Sequence, residues 1–339
     1  MSPPDDADGN RAPFPTSDIR ELMAKEANQP PQAESNPQLS RLPLKAVLLL
    51  VGVTLVWGAT YPVMKIAAAE IPILTFRGLI AIGAGIVMLT AARLAGHSLH
   101  IPRDNRKGLM IASLYNTFGG HVMATVSTQL ISAGQTALIM YTMPIWAFLI
   151  GIPLLGERPS RTLWLGLGFG ILGIALIAAQ DTSTTWISPG ILIALVGAMA
   201  WAVGTVTNKS VDWKMPMSVM TGWQFMIGGV PLCLFAVFEL DELGPVSIEA
   251  IGAALFVMIL PLLFGYWAFF RIIEMVPANV ASLSIVMVPG VSLLLGPLLV
   301  DEPITVVDLV AFALIAGALL TVLPLPGLRW IGRTRRGDR

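Results

Sequence analysis

The stretches WGATYPVMK (residues 57–65) and WAVGTVTNK (residues 201–209) share one pattern, a tryptophan eight positions before a lysine inside an apolar segment. The second copy begins 144 residues after the first. The surrounding chain is strongly apolar, because 55% of its 339 residues are hydrophobic and only 12% are charged. This composition is far from that of a soluble domain and indicates an integral membrane protein.

A second pair of motifs repeats at nearly the same distance. Pro144 stands thirteen residues before Glu157, and Pro289 stands thirteen before Glu302, which gives an offset of 145 residues. We therefore predict one duplicated unit of five apolar segments. Because five is odd, the second unit must enter the bilayer from the opposite face. Inverted repeats of this kind are typical of secondary transporters, so the sequence favours a transport function.

Ten apolar runs are long enough to cross a bilayer, since a helix needs about 20 residues to span roughly 30 Å of hydrocarbon. The predicted spans are residues 44–69, 71–95, 107–130, 133–155, 161–180, 188–210, 214–238, 248–272, 277–300 and 304–325. The predicted fold class is all-α, an integral membrane protein of ten transmembrane helices arranged as a five-plus-five inverted-topology repeat.

The distribution of basic residues predicts the orientation. Of the 21 Lys and Arg residues, nineteen lie in the N-terminal arm, at the even-numbered connections or in the C-terminal tail, and the odd-numbered connections have none. By the positive-inside rule both termini are cytoplasmic, which requires an even number of spans. The two remaining cations, Lys65 and Arg77, lie within the first and second spans near their outer ends.

Four regions follow along the chain. Residues 1–43 are rich in Pro, Asp, Asn and Gln and predict a disordered cytoplasmic arm. Residues 44–180 and 188–325 form the two predicted five-helix repeats, and residues 326–339 form a basic cytoplasmic tail.

The motifs resemble those of a known family. WGATYPVMK in the first span, an Arg early in the second, a Pro in the fourth followed by LLGERPS, and the echoes WAVGTVTNK and PGVSLLLGPLLVDEPIT are similar to the EamA-like branch of the drug/metabolite transporter superfamily. The resemblance covers about residues 44–323. It implies a ten-helix bundle in which spans one to four and six to nine surround a central cavity, and export of small metabolites across the bacterial inner membrane. Asp301 stands where the family often has Gly before the second Glu.

Polar side chains inside spans are costly and tend to face a pathway or a helix contact. Lys65 either snorkels to the outer interface or serves the substrate site, and Lys209 occupies the same repeat position. Arg77 either holds a substrate carboxylate or ties down carbonyls at a helix end. His121, flanked by Asn116 on the same span, either hydrogen-bonds a neighbouring helix or carries a proton.

Aromatic side chains are the better candidates for the cavity wall, because an amphipathic ring lines a wet cavity or stacks on a planar solute. The predicted substrate-binding residues are Trp57, Tyr61, Lys65, Arg77, Asn116, His121, Tyr141, Trp201, Tyr266 and Trp267. Kinks are expected at Pro62, Pro144, Pro261 and Pro289. Gly166, Gly170 and Gly173 predict a packing face, within the protomer or between protomers.

The predicted function is a secondary transporter, an exporter of small amphiphilic metabolites such as amino acids, with alternating access through a central cavity. A nucleotide-sugar or sugar-phosphate antiporter is the alternative substrate class, and a passive pore or a membrane-embedded enzyme is the alternative of a different class. An enzyme would need a convergent catalytic set, which the spans lack, so we expect no catalytic residues, no metal and no cofactor. Expected partners are a small-molecule substrate and membrane lipid, with a homodimer left open and no nucleic acid.

Overall fold

The helices follow the apolar runs closely. The computed structural model describes residues 43–155, 161–180, 188–276 and 278–322. The predicted tail, Glu157 and the predicted arm before Pro43 lie outside these ranges. The described helical segments are α1, Leu44–Glu70; α2, Ile73–Leu94; α3, made of Arg106–Ala112, Ser113–His121 and Val122–Leu130; α4, made of Ala133–Met140 and Met143–Leu155; α5, Arg161–Gln180; α6, Pro189–Ser210; α7, Met217–Phe235; α8, made of Ile248–Val257, Met258–Gly265 and Tyr266–Met275; α9, Ala278–Leu299; and α10, Val306–Val322. The described ranges contain no β-strand, so the all-α prediction is confirmed.

Most of these helices are long and apolar enough to cross a bilayer. Within the described residues seven meet both criteria, namely Leu44–Glu70, Ile73–Leu94, Ala133–Leu154, Arg161–Gln180, Pro189–Ser210, Met217–Glu242 and Ile248–Met275. Ser284–Leu299 and Val306–Thr321 are shorter apolar helices, and α3 is interrupted by the π-helical segment Ser113–His121. The chain is therefore a multi-pass membrane protein, and the full ten-span inverted arrangement remains a prediction.

Small side chains are common on the inward faces of the helices, beside larger ones such as Tyr61 and Met64 of α1. On α1, the inward face carries Ala46, Gly58 and Ala67, and the outward face carries Leu48 and Leu55. Lipid tails are as apolar as leucine, so hydrophobicity gives no reason to bury the large residues. Small residues on the inward faces allow the helices to approach closely, and dispersion contacts between them stabilise the bundle.

Helix pairing in the structure repeats itself between the two halves of the chain. Helix α1 packs against α8 and α9, and α6 packs against α3 and α4. The two sets are equivalent under a shift of five helices, because this shift exchanges α1 with α6, α8 with α3 and α9 with α4. Helix α2 packs against α7 and α5 against α10, and both pairs map onto themselves under the same exchange. The pattern of contacts thus has the approximate two-fold symmetry that the duplicated sequence predicts.

The glycine face of α5 is used within the protomer. A Cβ atom at Gly166 would collide with the Thr321 hydroxyl of α10, and one at Gly173 would press on Ile315 of the same helix. These glycines permit the close contact between α5 and α10. The sequence left open whether this face packs within the protomer or between protomers. In the structure, α10 of the same chain packs against it.

Two of the four predicted proline kinks coincide with interruptions of regular helix. Pro144 follows the turn at Tyr141 and Thr142 that divides α4, and Pro261 lies inside the π-helical segment of α8. Proline removes an N–H donor and crowds the carbonyl four residues earlier, which accounts for both irregularities. Pro62 and Pro289 lie within α1 and α9, which continue as helices on both sides of them.

An ion pair joins distant parts of the chain near one end of the bundle. Lys65 of α1 donates to the Glu302 carboxylate at 2.5 Å and to the Ile131 carbonyl at 3.3 Å. The other Glu302 oxygen accepts the Ala133 N–H at the start of α4 at 2.8 Å. Glu302 therefore balances the Lys65 charge and also satisfies an otherwise unpaired donor at a helix N-terminus.

The residue before Glu302 has a special backbone conformation. Asp301 has φ of 54° and is the one non-glycine residue with positive φ in the described part of the chain. The left-handed turn there lets the Glu302 N–H donate to the Gly296 carbonyl at 3.3 Å, and it ends α9. Glycine would adopt this conformation without strain, because it has no Cβ atom.

We predict that Asp301→Val destabilises the protein by about 1–2 kcal/mol, because a β-branched residue is strained at positive φ. Asp301→Gly should be neutral or stabilising. Thermal unfolding in detergent measures both. Asp241→Val is the matched control, since Asp241 is an exposed acid in the 3₁₀ segment Ala236–Glu242. An equal loss of stability in the control would contradict this account.

The ion pair gives a second prediction. Glu302→Ala removes both the ion pair with Lys65 and the acceptor for the Ala133 N–H, whereas Lys65→Met removes the ion pair and keeps that acceptor. We expect Glu302→Ala to cost more stability, about 2–3 kcal/mol against 1–2 kcal/mol for Lys65→Met. The double variant should be less destabilised than the sum of the two single variants, and strict additivity would show that the two groups do not interact.

Candidate functional site

A cavity of about 320 Å³ lies in the middle of the bundle. Its described lining comes from α1 to α4, from α6 to α9 and from the segment joining α6 and α7, and no residue of α5 or α10 contributes. Both halves of the chain therefore build its wall. The volume lies within the range of small-molecule sites, and the lining is mostly apolar with a few polar groups.

Rings form a continuous series around this cavity, which we call the aromatic girdle. The girdle consists of Tyr61, Tyr141, Trp201, His121, Phe225, Tyr266 and Trp57, in the order in which successive rings touch. Adjacent ring centroids are 5.6 to 6.3 Å apart, and most pairs are edge to face. Trp57 and Tyr61 are one helical turn apart on α1, so the two ends of the series meet on that helix. Edge-to-face pairs are the favoured aromatic geometry, and they fix each ring against the next.

Three amide side chains from three helices form a hydrogen-bonded row on the same cavity, which we call the amide chain. Asn116 donates to Gln224 at 3.0 Å, and Gln224 donates to Asn208 at 3.0 Å. The Thr117 hydroxyl donates to the backbone carbonyl of Gln224 at 3.2 Å. The Asn116 Oδ1 atom is buried and lacks a hydrogen-bond partner. It lies against Gly204, where a Cβ atom would collide with it.

Arg77 is held on the cavity wall by uncharged groups. Its side chain is only 4% exposed. Nε donates to the Thr125 hydroxyl, and Nη2 donates to the Met64 sulfur. The guanidinium carbon lies 5.1 Å from the centroid of the Phe76 ring. None of these contacts is with a backbone carbonyl. The observed hydrogen bonds therefore do not support the alternative in which Arg77 binds carbonyl groups at a helix end.

Eight of the ten predicted residues line the cavity, namely Trp57, Tyr61, Arg77, Asn116, His121, Tyr141, Trp201 and Tyr266. Contact between these residues and a substrate remains a prediction. The His121 ring packs against Trp201 and Phe225 in the girdle, which brings together an aromatic and a titratable side chain that the sequence treated separately.

The other two predicted residues, Lys65 and Trp267, do not line this cavity, and their contact with a substrate stays a prediction. Trp267 is half exposed on the outer surface of α8, where it packs against Phe264. Adjacent residues point about 100° apart on a helix, so Trp267 faces away when Tyr266 faces the cavity. Lys65 is engaged by Glu302 and the Ile131 carbonyl instead.

Several lining residues escaped the sequence analysis. Gln224, Asn208 and Phe225 lie on α6 and α7. The rule that selected Asn116, a polar side chain inside an apolar span, would also have found Gln224 and Asn208. Phe225 had no signal, because phenylalanine is common on every face of a membrane helix.

Two π-helical segments also line the cavity. Local sequence gave no sign of the segment in α3, whereas Pro261 predicted an irregularity in α8. Ser113–His121 in α3 supplies Asn116, Gly120 and His121, and Met258–Gly265 in α8 supplies Pro261 and Leu262. The second segment begins 145 residues after the first, which matches the offset of the sequence motifs. Such π-helical insertions are rare and frequently occur at functional sites.

Known proteins resemble this chain over most of its length. The EamA-like transporter family matches the chain twice, over residues 44–179 and 188–323. Uncharacterized transporter YoaV of Bacillus subtilis (strain 168) is 29% identical over 280 residues, which cover 82% of this chain and 94% of that protein. Uncharacterized inner membrane transporter YedA of Escherichia coli (strain K12) is 24% identical, over 79% of this chain and 87% of that protein. A crystal structure with 22% identity superposes with a TM-score of 0.59 over 81% of this chain and 95% of the other, which supports the fold.

The two family matches together extend over most of the sequence. Their starts are 144 residues apart, as are the two tryptophan and lysine motifs. The duplicated unit predicted from those motifs is therefore the family's own repeat. This chain belongs to the EamA-like transporter family and is a multi-pass membrane transporter.

Proposed function

We propose that this protein is a secondary transporter that exports small amphiphilic metabolites, amino acids among them, by alternating access through the central cavity. The observation that carries the proposal is the aromatic girdle, which both halves of the chain build around one cavity. A site at the junction of two repeats is where a carrier exposes its substrate to each side in turn.

The arrangement proposed for this transport is ten spans in two inverted repeats, in the inner membrane with both termini cytoplasmic. Three observations support it: the 144-residue spacing of the family matches, the helix pairing that maps onto itself between halves, and the π-helical segments at equivalent positions. The distribution of Lys and Arg supports the orientation.

The alternatives fit the cavity less well. A membrane-embedded enzyme would need convergent acid, base and nucleophile groups, and the described lining holds no Asp, Glu, Ser or Cys. A passive pore usually lines its path with repeated carbonyls or charged rings, whereas here packed rings surround the space. A nucleotide-sugar or sugar-phosphate substrate would bring two or more negative charges to a lining with one arginine.

The inverted repeat makes a topological prediction. With five helices before it, α6 must begin on the outer side and end on the cytoplasmic side. A reporter fused after Ser188 should therefore report the extracytoplasmic side, and one fused after Lys214 the cytoplasmic side. Alkaline phosphatase and green fluorescent protein fusions give opposite signals and serve as mutual controls. A cytoplasmic location at Ser188 would contradict the odd-numbered repeat.

Transport itself is tested with purified protein in liposomes. Labelled phenylalanine and 3-phenylpropanoate are suitable probes, because each pairs a carboxylate with a ring that the girdle can contact. We expect saturable flux that is accelerated by unlabelled substrate on the opposite side. Flux that rises without saturation would identify a pore, and absence of flux with amino acids and organic acids alike would refute the proposed function.

Two tryptophans provide a matched pair of variants. Trp201→Leu removes a ring that touches both Tyr141 and His121, so we expect kcat/KM for transport to fall about 5- to 100-fold. Trp267→Leu removes a half-exposed ring outside the cavity and should leave transport unchanged. Thermal unfolding of both variants checks their folding. Equal activities of the two variants would argue against substrate contact at the girdle.

A further inference from the structure

The charges on the cavity wall are unbalanced. Arg77 is the one permanently charged side chain in the described lining, and no Asp or Glu lines the cavity there. The ion pairs among the described residues join Lys65 to Glu302, Lys214 to Asp104 and Arg271 to Glu274, and none includes Arg77. A buried charge without a counter-ion is costly, because desolvation is not offset by an opposite charge.

The contacts of Arg77 compensate only part of that cost. A guanidinium has five N–H donors, and here Nε bonds the Thr125 hydroxyl while Nη2 meets the Met64 thioether, a weak acceptor. The Phe76 ring offers a cation–π contact but no negative charge. The Glu239 carboxylate, from the 3₁₀ segment Ala236–Glu242, accepts the Leu74 and Thr75 N–H groups of the first turn of α2 at 3.0 and 2.9 Å. It forms no ion pair with Arg77. Among the described residues, the hydrogen bonds of Arg77 use Nε and Nη2, and none is observed for Nη1.

The guanidinium lies next to the aromatic girdle. Its two polar contacts, Met64 and Thr125, are three and four residues beyond the girdle residues Tyr61 and His121 on α1 and α3. Each of the two residues that Arg77 contacts is thus about one helical turn from a girdle residue on the same helix. The amide chain lies on the other side of the girdle along α3, beginning at Asn116. In this direction the cavity has a cationic end, an aromatic middle and a neutral polar end.

We propose that the cavity selects organic carboxylates of net charge −1, with the carboxylate on Arg77 and the apolar body within the aromatic girdle, and that it rejects organic cations. This inference rests on the proposed function and narrows its substrate class. Arginine pairs with a carboxylate through two parallel hydrogen bonds, which suits Nη1 and its neighbour. A zwitterion with the same body binds more weakly, because its ammonium lies beside Arg77 and the described lining offers no carboxylate to meet it.

The first test uses the unaltered protein and three ligands that share a phenyl body. 3-Phenylpropanoate is an anion, phenylalanine is a zwitterion and 2-phenylethylamine is a cation. Thermal stabilisation of the purified protein reports binding, since a ligand that binds only the folded state raises its stability. We expect the largest shift with 3-phenylpropanoate, a smaller one with phenylalanine and none with the amine. An equal or larger shift with the amine would overturn the proposal, as would no shift with millimolar 3-phenylpropanoate.

The second test uses variants of the anchor. Arg77→Gln should weaken 3-phenylpropanoate binding about 10- to 100-fold, as expected for loss of charge-assisted hydrogen bonds. Because it removes an uncompensated buried charge, the same variant should be no less stable than the parent without ligand. A purely structural role for Arg77 predicts the reverse, lower stability with unchanged affinity. Arg93→Gln is the matched control, since it removes an exposed arginine from the last turn of the same helix.

The outcomes separate this inference from the proposed function. Saturable counterflow that accepts 2-phenylethylamine, or that persists unchanged in Arg77→Gln with 3-phenylpropanoate, would leave the transporter assignment intact and refute anion selection. Arg77→Lys gives an independent reading, because lysine keeps the charge and loses the planar two-bond geometry. We expect it to bind 3-phenylpropanoate with an affinity between those of the parent and Arg77→Gln.

Discussion

The constraint on which this structure depends is that backbone N–H and C=O groups in hydrocarbon must find partners within the protein. Regular helix satisfies them over most of the chain that the structure describes. Departures from regular helix in α3, α4 and α8, at Ser113–His121, at the turn after Met140 and at Met258–Gly265, all contribute residues to the central cavity. Each of these segments has one face on the cavity, where irregular backbone is tolerated, while Leu114, Tyr115 and Ile259 of the two π-helical segments are exposed on the outside. The cavity and the irregular segments therefore belong to one structural solution.

Sequence reasoning was effective where hydrophobicity and spacing decide the outcome. The helical segments, the all-α class and the duplicated unit follow from run length and from repeated motifs, and the aromatic residues of α1, α4 and α6 were identified as cavity candidates. Sequence reasoning was weaker where the rotation of a helix about its axis determines which side chains face the cavity. Tyr266 and Trp267 are adjacent and both aromatic, and only the orientation of α8 separates a cavity residue from a surface residue. A membrane helix that is apolar on all faces carries little information about that orientation.

Partners distant in sequence were also hidden from sequence reasoning. Lys65 and Glu302 each belong to a repeated motif, but nothing in the motifs indicated that the lysine of one half pairs with the carboxylate of the other. The amide chain has the same character, since Asn116, Gln224 and Asn208 come from three helices. Such contacts depend on how the two halves interlock. The packing of whole helices shows the same interlocking, because helices of the first half pack mainly against helices of the second half at equivalent positions.

The span of the Lys65 ion pair has a consequence for biosynthesis. Glu302 follows Lys65 by 237 residues, so α1 enters the membrane long before the carboxylate has been made. At about 5–20 residues per second, the lysine must wait for roughly 10 to 50 s. During that time its long side chain can keep the ammonium at the interface, where water and headgroups replace the missing partner. Lysine at this position thus lets the early helix tolerate a charge whose counter-ion is synthesised 237 residues later.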